Sequence, residues 1–494
     1  MLTTLDVVVL FLYVLLIMAI GSWFGRRQTN TQDYFLGGHR IPWWAAGLSV
    51  IATETSALTF IGVPAVAYAS DWQYLQLAIG SVLARFLLAF ILINVFYTSK
   101  VFTPYGYLLK RFGAGTKNTA AMVFIFGRAF ASSFRLLGFA IAIKVVLSVP
   151  LSTAILLTGI AAVIYTYLGG IRAVIWTDVL QGATFMFGGG LVIYVLIRNI
   201  PGGWEHFLSV ARVSNKLITF DSGFDASGFK WGDAYNLITG LIGGCFLTMA
   251  THGTDHDMVQ RMLTCKSSKD GQRSIILSGL LTFPVVITFL LVGSLLFVYY
   301  KTVPVSYALP DQYKYIFPTF ILRGLPAGLS GLVIAGLVAA AMSSTDSALS
   351  ALASTTVVDL YRPYVKRDAP ESHYLRVSRL FTALWGVVLI GVALSVGTTE
   401  DILAAGLGVM TLFYGSLLGV FLLARFTERG NTLTNGIGMA GSILLLTFLN
   451  HKTALLTTFG VTQGWVFDLN IAWPWFTVIG TLVTFGIGAI GKRK

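Results

Sequence analysis

The stretch "PWWAAGLSVIATETSALTFIGVPAVAYASDW", residues 42–72, decides the fold. It is long enough to cross a hydrocarbon core as a helix, which takes about 20 apolar residues. Its first half is apolar, its middle, "ATETSALT", is polar and carries Glu54, and Pro64 follows. A continuous helix would leave Glu54 in lipid and bond its hydroxyls back to carbonyls one turn earlier. A helix broken at mid-depth instead offers free carbonyls and helix ends to a ligand, provided the irregular backbone is buried or lines a cavity. The broken helix is the expectation.

Working outward, apolar runs of similar length recur along all 494 residues. The chain is 55% hydrophobic and 11% charged, with a mean hydropathy of +0.77. Soluble domains carry about 25% charged residues. The pattern predicts an all-α integral membrane protein with about 13 transmembrane helices: 5–24, 42–69, 73–98, 118–147, 150–168, 176–198, 235–264, 273–300, 325–360, 376–397, 400–424, 433–450 and 472–490. The first is expected to be a retained helix rather than a cleaved signal peptide, because no Lys or Arg precedes it. Ten-residue alternating segments, which a β-barrel would require, are not evident in the sequence.

A second interruption falls in "NLITGLIGGCFLTMATHGTDHDMVQRMLTC", residues 236–265, where a Gly-rich apolar half leads into Asp255, His256 and Asp257. A helix boundary near water is the alternative reading of that cluster. Broken spans at positions two and seven are the spacing expected of two inverted five-helix repeats. The expected organisation is one transporter domain: an extra helix and loop over 1–41, repeat 1 over 42–198, repeat 2 over 235–424, and two further helices over 425–494.

The net charge is +13. With the N-terminus outside, the inside segments hold 21 Lys and Arg against 7 outside. That asymmetry predicts N-out, C-in topology in a plasma membrane, the bacterial inner membrane. It accounts for the charge with anionic lipid as partner and no nucleic acid. Cys245 and Cys265 form neither a disulfide framework nor a metal-ligand pattern. There is no Walker or H-E-x-x-H motif. An enzyme is not expected, and neither is an organic cofactor.

A further polar run, "AAAMSSTDSALS" at 339–350, lies inside another apolar span. Ala340, Ser343, Ser344 and Ser347 recur at i, i+3, i+4 and i+7 and share one face. Their oxygens suit a hard cation, which hydroxyls and carbonyls bind without trapping it. Serine knobs packing between helices are the alternative.

Together with "YTYLGGIRAVIWTDVLQG" (165–182), "VQRML" (259–263) and "DYFLGGHRIPWWAAGLSVIATETSALTFIG" (33–62), this run makes the chain resemble the sodium/solute symporter family over essentially its full length. Within the family it looks most like bacterial sialic-acid and sugar symporters. The resemblance implies a leucine-transporter-like fold and import of a small polar solute driven by one or two Na⁺. The expected solute is a carboxylate-bearing sugar such as sialic acid, or another organic anion. A neutral sugar or polyol symporter is the alternative, and a membrane solute sensor or channel is the alternative of another class. A monomer is expected.

Carried over by motif, the main sodium site comprises the carbonyls of Ala52, Thr55 and Ala340 and the hydroxyls of Ser343 and Ser344. A second Na⁺ would use Asp178, Ser343, Asp346 and Ser347. The sialic-acid-type pattern has a hydroxyl where this chain has Asp346, so this carboxylate either strengthens the second site or pairs with an arginine. An N-cap is the alternative for Asp178. The resemblance places substrate near Glu54, Ser56, Thr59, Tyr74, Gln76, Ala78, Asp255, Asp257, Thr411 and Tyr414. Arg128 and Arg135, seven apart on one helix face, either bind a substrate carboxylate or form internal ion pairs. Arg128 is the nearer match to the family arginine. Asp255 and Asp257 bind substrate hydroxyls or an amine, or pair with Arg261. They stand where galactose-type symporters carry a sugar-binding amide and an aromatic gate, which weakens the neutral-hexose reading.

Overall fold

The computed structural model describes residues 2–25, 30–168, 170–397, 402–458 and 470–492. Four inside charges counted above, Arg26, Arg27, Arg493 and Lys494, lie outside the described residues, as do Gly169 of the 165–182 motif and the first two residues of the span at 400–424.

The described chain is helical apart from one small hairpin. The labelled helices are α1 (Thr4–Gly25), α2 (Trp43–Glu54), α3 (Ala57–Ala69), α4 (Leu75–Thr98), α5 (Ala114–Leu147), α6 (Leu151–Leu168), α7 (Ile171–Asn199), α8 (Gly244–Gly253), α9 (His256–Leu263), α10 (Ser268–Thr302), α11 (Leu329–Thr355), α12 (Glu371–Val396), α13 (Ile402–Phe426), α14 (Thr432–Thr458) and α15 (Trp473–Ile490). Among the described residues, ten helices are long and apolar enough to cross a membrane. The bent pair α2–α3 makes eleven.

The break expected within "ATETSALT" falls at Thr55–Ser56, and the two halves diverge by 60°. Thr55 ends α2 with φ −77° and ψ 83°, and extended Ser56 starts α3. The second interruption also occurs. Helix α8 stops at Gly253, and α9 restarts behind Asp255, whose carboxylate accepts the Asp257 N–H at 2.8 Å. This cluster does not mark a boundary at water, because Asp255, His256 and Asp257 are fully buried.

Packing is tightest where glycines let backbones meet. A Cβ on Gly80 of α4 would lie 2.3 Å from the Gly240 carbonyl, just before α8, so any side chain there would force the second interrupted segment away from α4. Helix α11 is the most enclosed span, with 89% of its core window buried. It packs on α7, α5 and α2. Its polar run therefore meets protein on most sides, which is what hydroxyls at bilayer depth require. Helix α1 lies at the periphery, only 22% buried, against α11 and α7.

Outside the spans, Phe224–Asp225 and Gly228–Phe229 pair as a hairpin, Phe224 opposite Phe229. Trp231 packs at a tilt against Trp475 of α15, ring centroids 5.1 Å apart, holding this loop against the bundle.

Candidate functional site

The break in α2–α3 frees backbone oxygens at the level of the α11 serines. The Thr55 N–H reaches the Ile51 carbonyl at 2.9 Å, but the Ser56 N–H turns to Glu54 instead of continuing to Ala52. The Ala52 carbonyl then accepts from the Ser343 hydroxyl at 3.0 Å. Ser343 Oγ also lies 3.2 Å from the Ala340 carbonyl, and Ser344 Oγ lies 3.2 Å from the same oxygen. The structure thus gathers Ala52, Ala340, Ser343 and Ser344 into one buried cluster of neutral oxygens. Thr55 sits at the break, 2% exposed, on the wall of the adjoining cavity. Neutral hydroxyl and carbonyl oxygens without a fixed charge are a donor set for a hard monovalent cation.

One turn further along α11 the chemistry changes to formal charge. Asp178 Oδ2 accepts from Ser49 Oγ at 2.5 Å and from Arg261 Nη2 at 3.1 Å. The same Arg261 nitrogen donates to Ser347 Oγ, and Arg261 Nη1 meets Asp257 Oδ1 at 2.7 Å. Asp257 also pairs with Arg128, which reaches Asp255 at 3.1 Å. Tyr414 completes the chain by donating to Asp255 Oδ2 at 2.6 Å. The N-cap alternative for Asp178 is overturned: α7 begins at Ile171 rather than at 176, so Asp178 is already in its third turn. Asp346 accepts from its neighbour Ser347, through the backbone N–H at 2.6 Å. Among the described residues no basic group lies within salt-bridge distance of it, and its Oδ2, like Asp178 Oδ1, is buried without a hydrogen-bond partner. Of the two alternatives for Asp346, pairing with an arginine is not seen; Arg261 pairs with Asp178 instead.

On the other side of the break lie two adjoining cavities of about 110 Å³ each. Glu54, Thr59, Tyr74, Thr248 and Leu407 line both. Ser56, Arg128, Arg135 and Asp255 line one lobe, and Thr55 and Ala78 the other. Gln76, Asp257, Thr411 and Tyr414 line neither. The Gln76 amide donates to the Tyr235 carbonyl at 2.6 Å, the Thr411 hydroxyl bonds back to Gly408, and Asp257 and Tyr414 lie in the ionic chain.

The two arginines of α5 differ. Arg128, the one favoured by motif, is committed to two carboxylates. Arg135 is half-buried and donates to the Thr53 carbonyl at 3.3 Å. Among the described residues it has no carboxylate within salt-bridge distance. The internal-pair alternative holds for Arg128, and neither arginine pairs with Glu54, because Arg85 takes that carboxylate, with Thr282 Oγ1 at 2.5 Å and His252 at 3.0 Å on the same guanidinium. Arg85 and Ser49 were not singled out in the sequence. A lone arginine in the apolar run "SVLARFLL" is the signal that points to Arg85.

These features define a buried polar cavity at a helix break, beside a cluster of neutral hydroxyl and carbonyl oxygens. Residues 34–444 match the model of the sodium:solute symporter family. The sodium/sialic acid symporter NanT of Aliivibrio fischeri is 32% identical, over 98% of this chain and 92% of its own. The sodium/sialic acid symporter SiaT of Proteus mirabilis is 32% identical over 88% of this chain and 87% of its own. A solved Na⁺-coupled sialic acid symporter in a substrate-bound outward-open state superposes with a TM-score of 0.85 at 27% identity, covering 99% of this chain and 97% of that one. Mhp1, a nucleobase-cation-symport-1 family transporter, shares the fold alone, with a TM-score of 0.57 at 13% identity over 94% of both chains. The chain belongs to the sodium:solute symporter family, whose members are membrane transporters and not enzymes.

Proposed function

We propose that this protein is a sodium-coupled symporter that imports a carboxylate-bearing sugar of the sialic acid class by alternating access. One observation carries the substrate class: Arg135 faces the cavity with its charge unpaired, while Arg85, Arg128 and Arg261 are all neutralised. A guanidinium so placed suits a carboxylate, which it can hold in a bidentate fork. The sialic acid symporters among its relatives support the same class. Glu54, Ser56, Thr59, Tyr74 and Ala78 would contact the rest of the sugar. Each lobe is well below the roughly 300 Å³ of a typical ligand pocket. Admitting a sugar acid therefore requires the walls around Tyr74 and Leu407 to part.

The main Na⁺ would bind Ala52, Thr55, Ala340, Ser343 and Ser344. The break couples the two ligands physically, because it presents the Ala52 carbonyl to Ser343 and the Thr53 carbonyl to Arg135. An ion that fixes α2 against α11 thereby fixes the backbone that orients Arg135. By linkage each ligand tightens the other by the same factor. One Na⁺ entering down about 100 mV gains roughly 2.3 kcal/mol. A tenfold gradient adds about 1.4 kcal/mol per ion, while a co-imported carboxylate moves its own negative charge against the same potential, so one ion supports about tenfold accumulation and two support roughly 5,000-fold. A second ion would approach Asp178, Ser343, Asp346 and Ser347, where two buried carboxylate oxygens lack partners.

The supporting architecture is 13 spans, with 42–198 and 235–424 as inverted repeats flanked by 1–41 and 425–494. The breaks at Thr55 and Thr254 support it. The charge asymmetry supports an outside N-terminus and a cytoplasmic C-terminus in a bacterial inner membrane, and the chain acts as a monomer. Uptake of radiolabelled N-acetylneuraminate into proteoliposomes, with and without an inward Na⁺ gradient, tests the function. Uptake that ignores the gradient, or a response to neutral hexoses alone, would overturn it.

A further inference from the structure

A cavity of about 420 Å³ lies away from the polar break, on the other side of α11. Val338, Ala341, Met342 and Thr345 line it at i, i+3, i+4 and i+7, a stripe distinct from the Ala340, Ser343, Ser344 and Ser347 face. Helices α1, α5 and α6 form the other walls.

The lining offers nothing to a polar ligand. Its two hydroxyls are spent within their own helices: Thr345 donates to the Ala341 carbonyl and Thr158 to the Ala154 carbonyl, both at 2.8 Å. Every other lining residue is aliphatic, Met, Phe or Gly. Water would find no partners there. At the rim, Leu147, Leu157 and Ile164 are 47%, 48% and 57% exposed. On membrane-spanning helices, exposed apolar side chains at this depth face hydrocarbon, so the groove is continuous with the lipid boundary.

We propose that this groove holds one acyl chain of a membrane phospholipid against the back of α11, and that the bound chain tunes sodium affinity. The same helix turns carry the Ser343 and Ser344 hydroxyls, and only the helix itself separates them from the groove. A chain packed at Ala341 and Thr345 supports the position in which Ser343 meets the Ala52 carbonyl. The lipid site stands on the groove alone. Its effect on sodium rests on the function proposed above.

Ala161 is an exposed position on the α6 wall, so Ala161→Trp fills the groove without touching the oxygen cluster. The full chain is titrated with palmitoyl-oleoyl phosphatidylglycerol in detergent and read by native mass spectrometry. Leu157→Trp on the rim serves as a second variant should the first fail to fold, judged by its unfolding temperature. The wild type is expected to retain one phospholipid per chain under conditions where the folded variant retains none. The variant's sodium concentration for half-maximal uptake is expected to shift by about fivefold, the lower end of allosteric couplings. Equal retention in the two proteins, or none in either, overturns the lipid site. Lost retention with unchanged sodium dependence overturns its effect on α11. If wild-type uptake shows no sodium dependence at all, the symporter reading has failed, and mass spectrometry still decides the groove.

Discussion

Two buried polar regions meet on α11, within four residues of each other, and they are built on opposite plans. Around Ser343 and Ser344 every oxygen is neutral, and the hydrogen bonds join hydroxyls to backbone carbonyls, within α11 and across to Ala52 of α2. Around Ser347 the chain Asp178–Arg261–Asp257–Arg128–Asp255–Tyr414 ties four helices together, α5, α7, α9 and α13, mostly through formal charges. Fixed charges at this depth are costly unless matched, and removing one strands its partner. Neutral oxygens can satisfy one another without a cation, and Ser343 and Ser344 donate to the Ala52 and Ala340 carbonyls. The charged region acts as a lock on the second interrupted segment, and on the function proposed above the neutral one is the place where an ion would enter and leave.

The largest expected effect tests the lock. Asp257 is the carboxylate shared by Arg128 and Arg261. Asp257→Ala leaves both guanidinia short of a partner and is expected to cost about 3–5 kcal/mol, as breaking a buried pair does. Thermal unfolding in detergent measures it. A variant as stable as the wild type would mean that this region is also soft, and the contrast would collapse.

Next comes Arg135, the cation left out of the lock. Arg135→Met is expected to weaken binding of a carboxylate sugar by about 2–3 kcal/mol, roughly 30- to 150-fold, with little change in unfolding temperature. Arg135→Lys keeps the charge but loses the fork and falls between. Calorimetric titration with N-acetylneuraminate in saturating Na⁺ decides it. Should Arg128→Met abolish binding while Arg135→Met leaves it intact, the assignment reverses to the one the motif favoured.

That reversal shows how far the sequence reaches. The break was legible because Glu54 and two threonines in an apolar run have no other low-cost placement. The α11 serines were legible because helical spacing alone puts them on one face. Which arginine the ion pairs take up was not. Arg128 and Arg135 share a face of α5, but seven residues correspond to about 10 Å of helical rise. One therefore lies level with Asp255 and Asp257, and the other level with the break. Such levels are set by how α5 and α9 pack, through contacts 127 and 129 residues apart in sequence. The Arg85–Glu54 pair was missed for the same reason. The start of α7 was misplaced by five residues because "IRAV" reads as loop, whereas extended Gly170 opens the helix ahead of it.

A smaller effect probes the neutral region. Ser343→Ala with Ser344→Ala removes two hydroxyls worth about 0.5–1.5 kcal/mol each. The double variant should fold normally, yet its half-saturating Na⁺ concentration should rise by about tenfold. Sodium-dependent uptake at fixed substrate is the measurement. An unaltered sodium dependence would place the ion elsewhere.

The smallest effect comes from a pair whose chemistry resembles the lock but whose surroundings do not. In the loop that follows α7, Asp221 accepts from Lys230 at 2.9 Å and from the Gly223 N–H at 2.8 Å. The Gly223 N–H and the Lys230 ammonium hold its carboxyl below the usual carboxylate range. A depressed folded pKa stabilises the protein above the unfolded value of about 3.9, and the contribution disappears as pH falls through the folded value. Asp221→Asn should therefore lower the unfolding temperature by no more than about 2 °C at neutral pH, and by less below about pH 4. Salt should shrink the difference, because water and ions screen this pair as they do not screen Arg128 and Asp257. A loss comparable to that of Asp257→Ala would show that charge pairing alone, and not burial, makes the lock. The distances are similar in the two places, so the gap between the two variants measures what removal from water does to an ion pair in this protein.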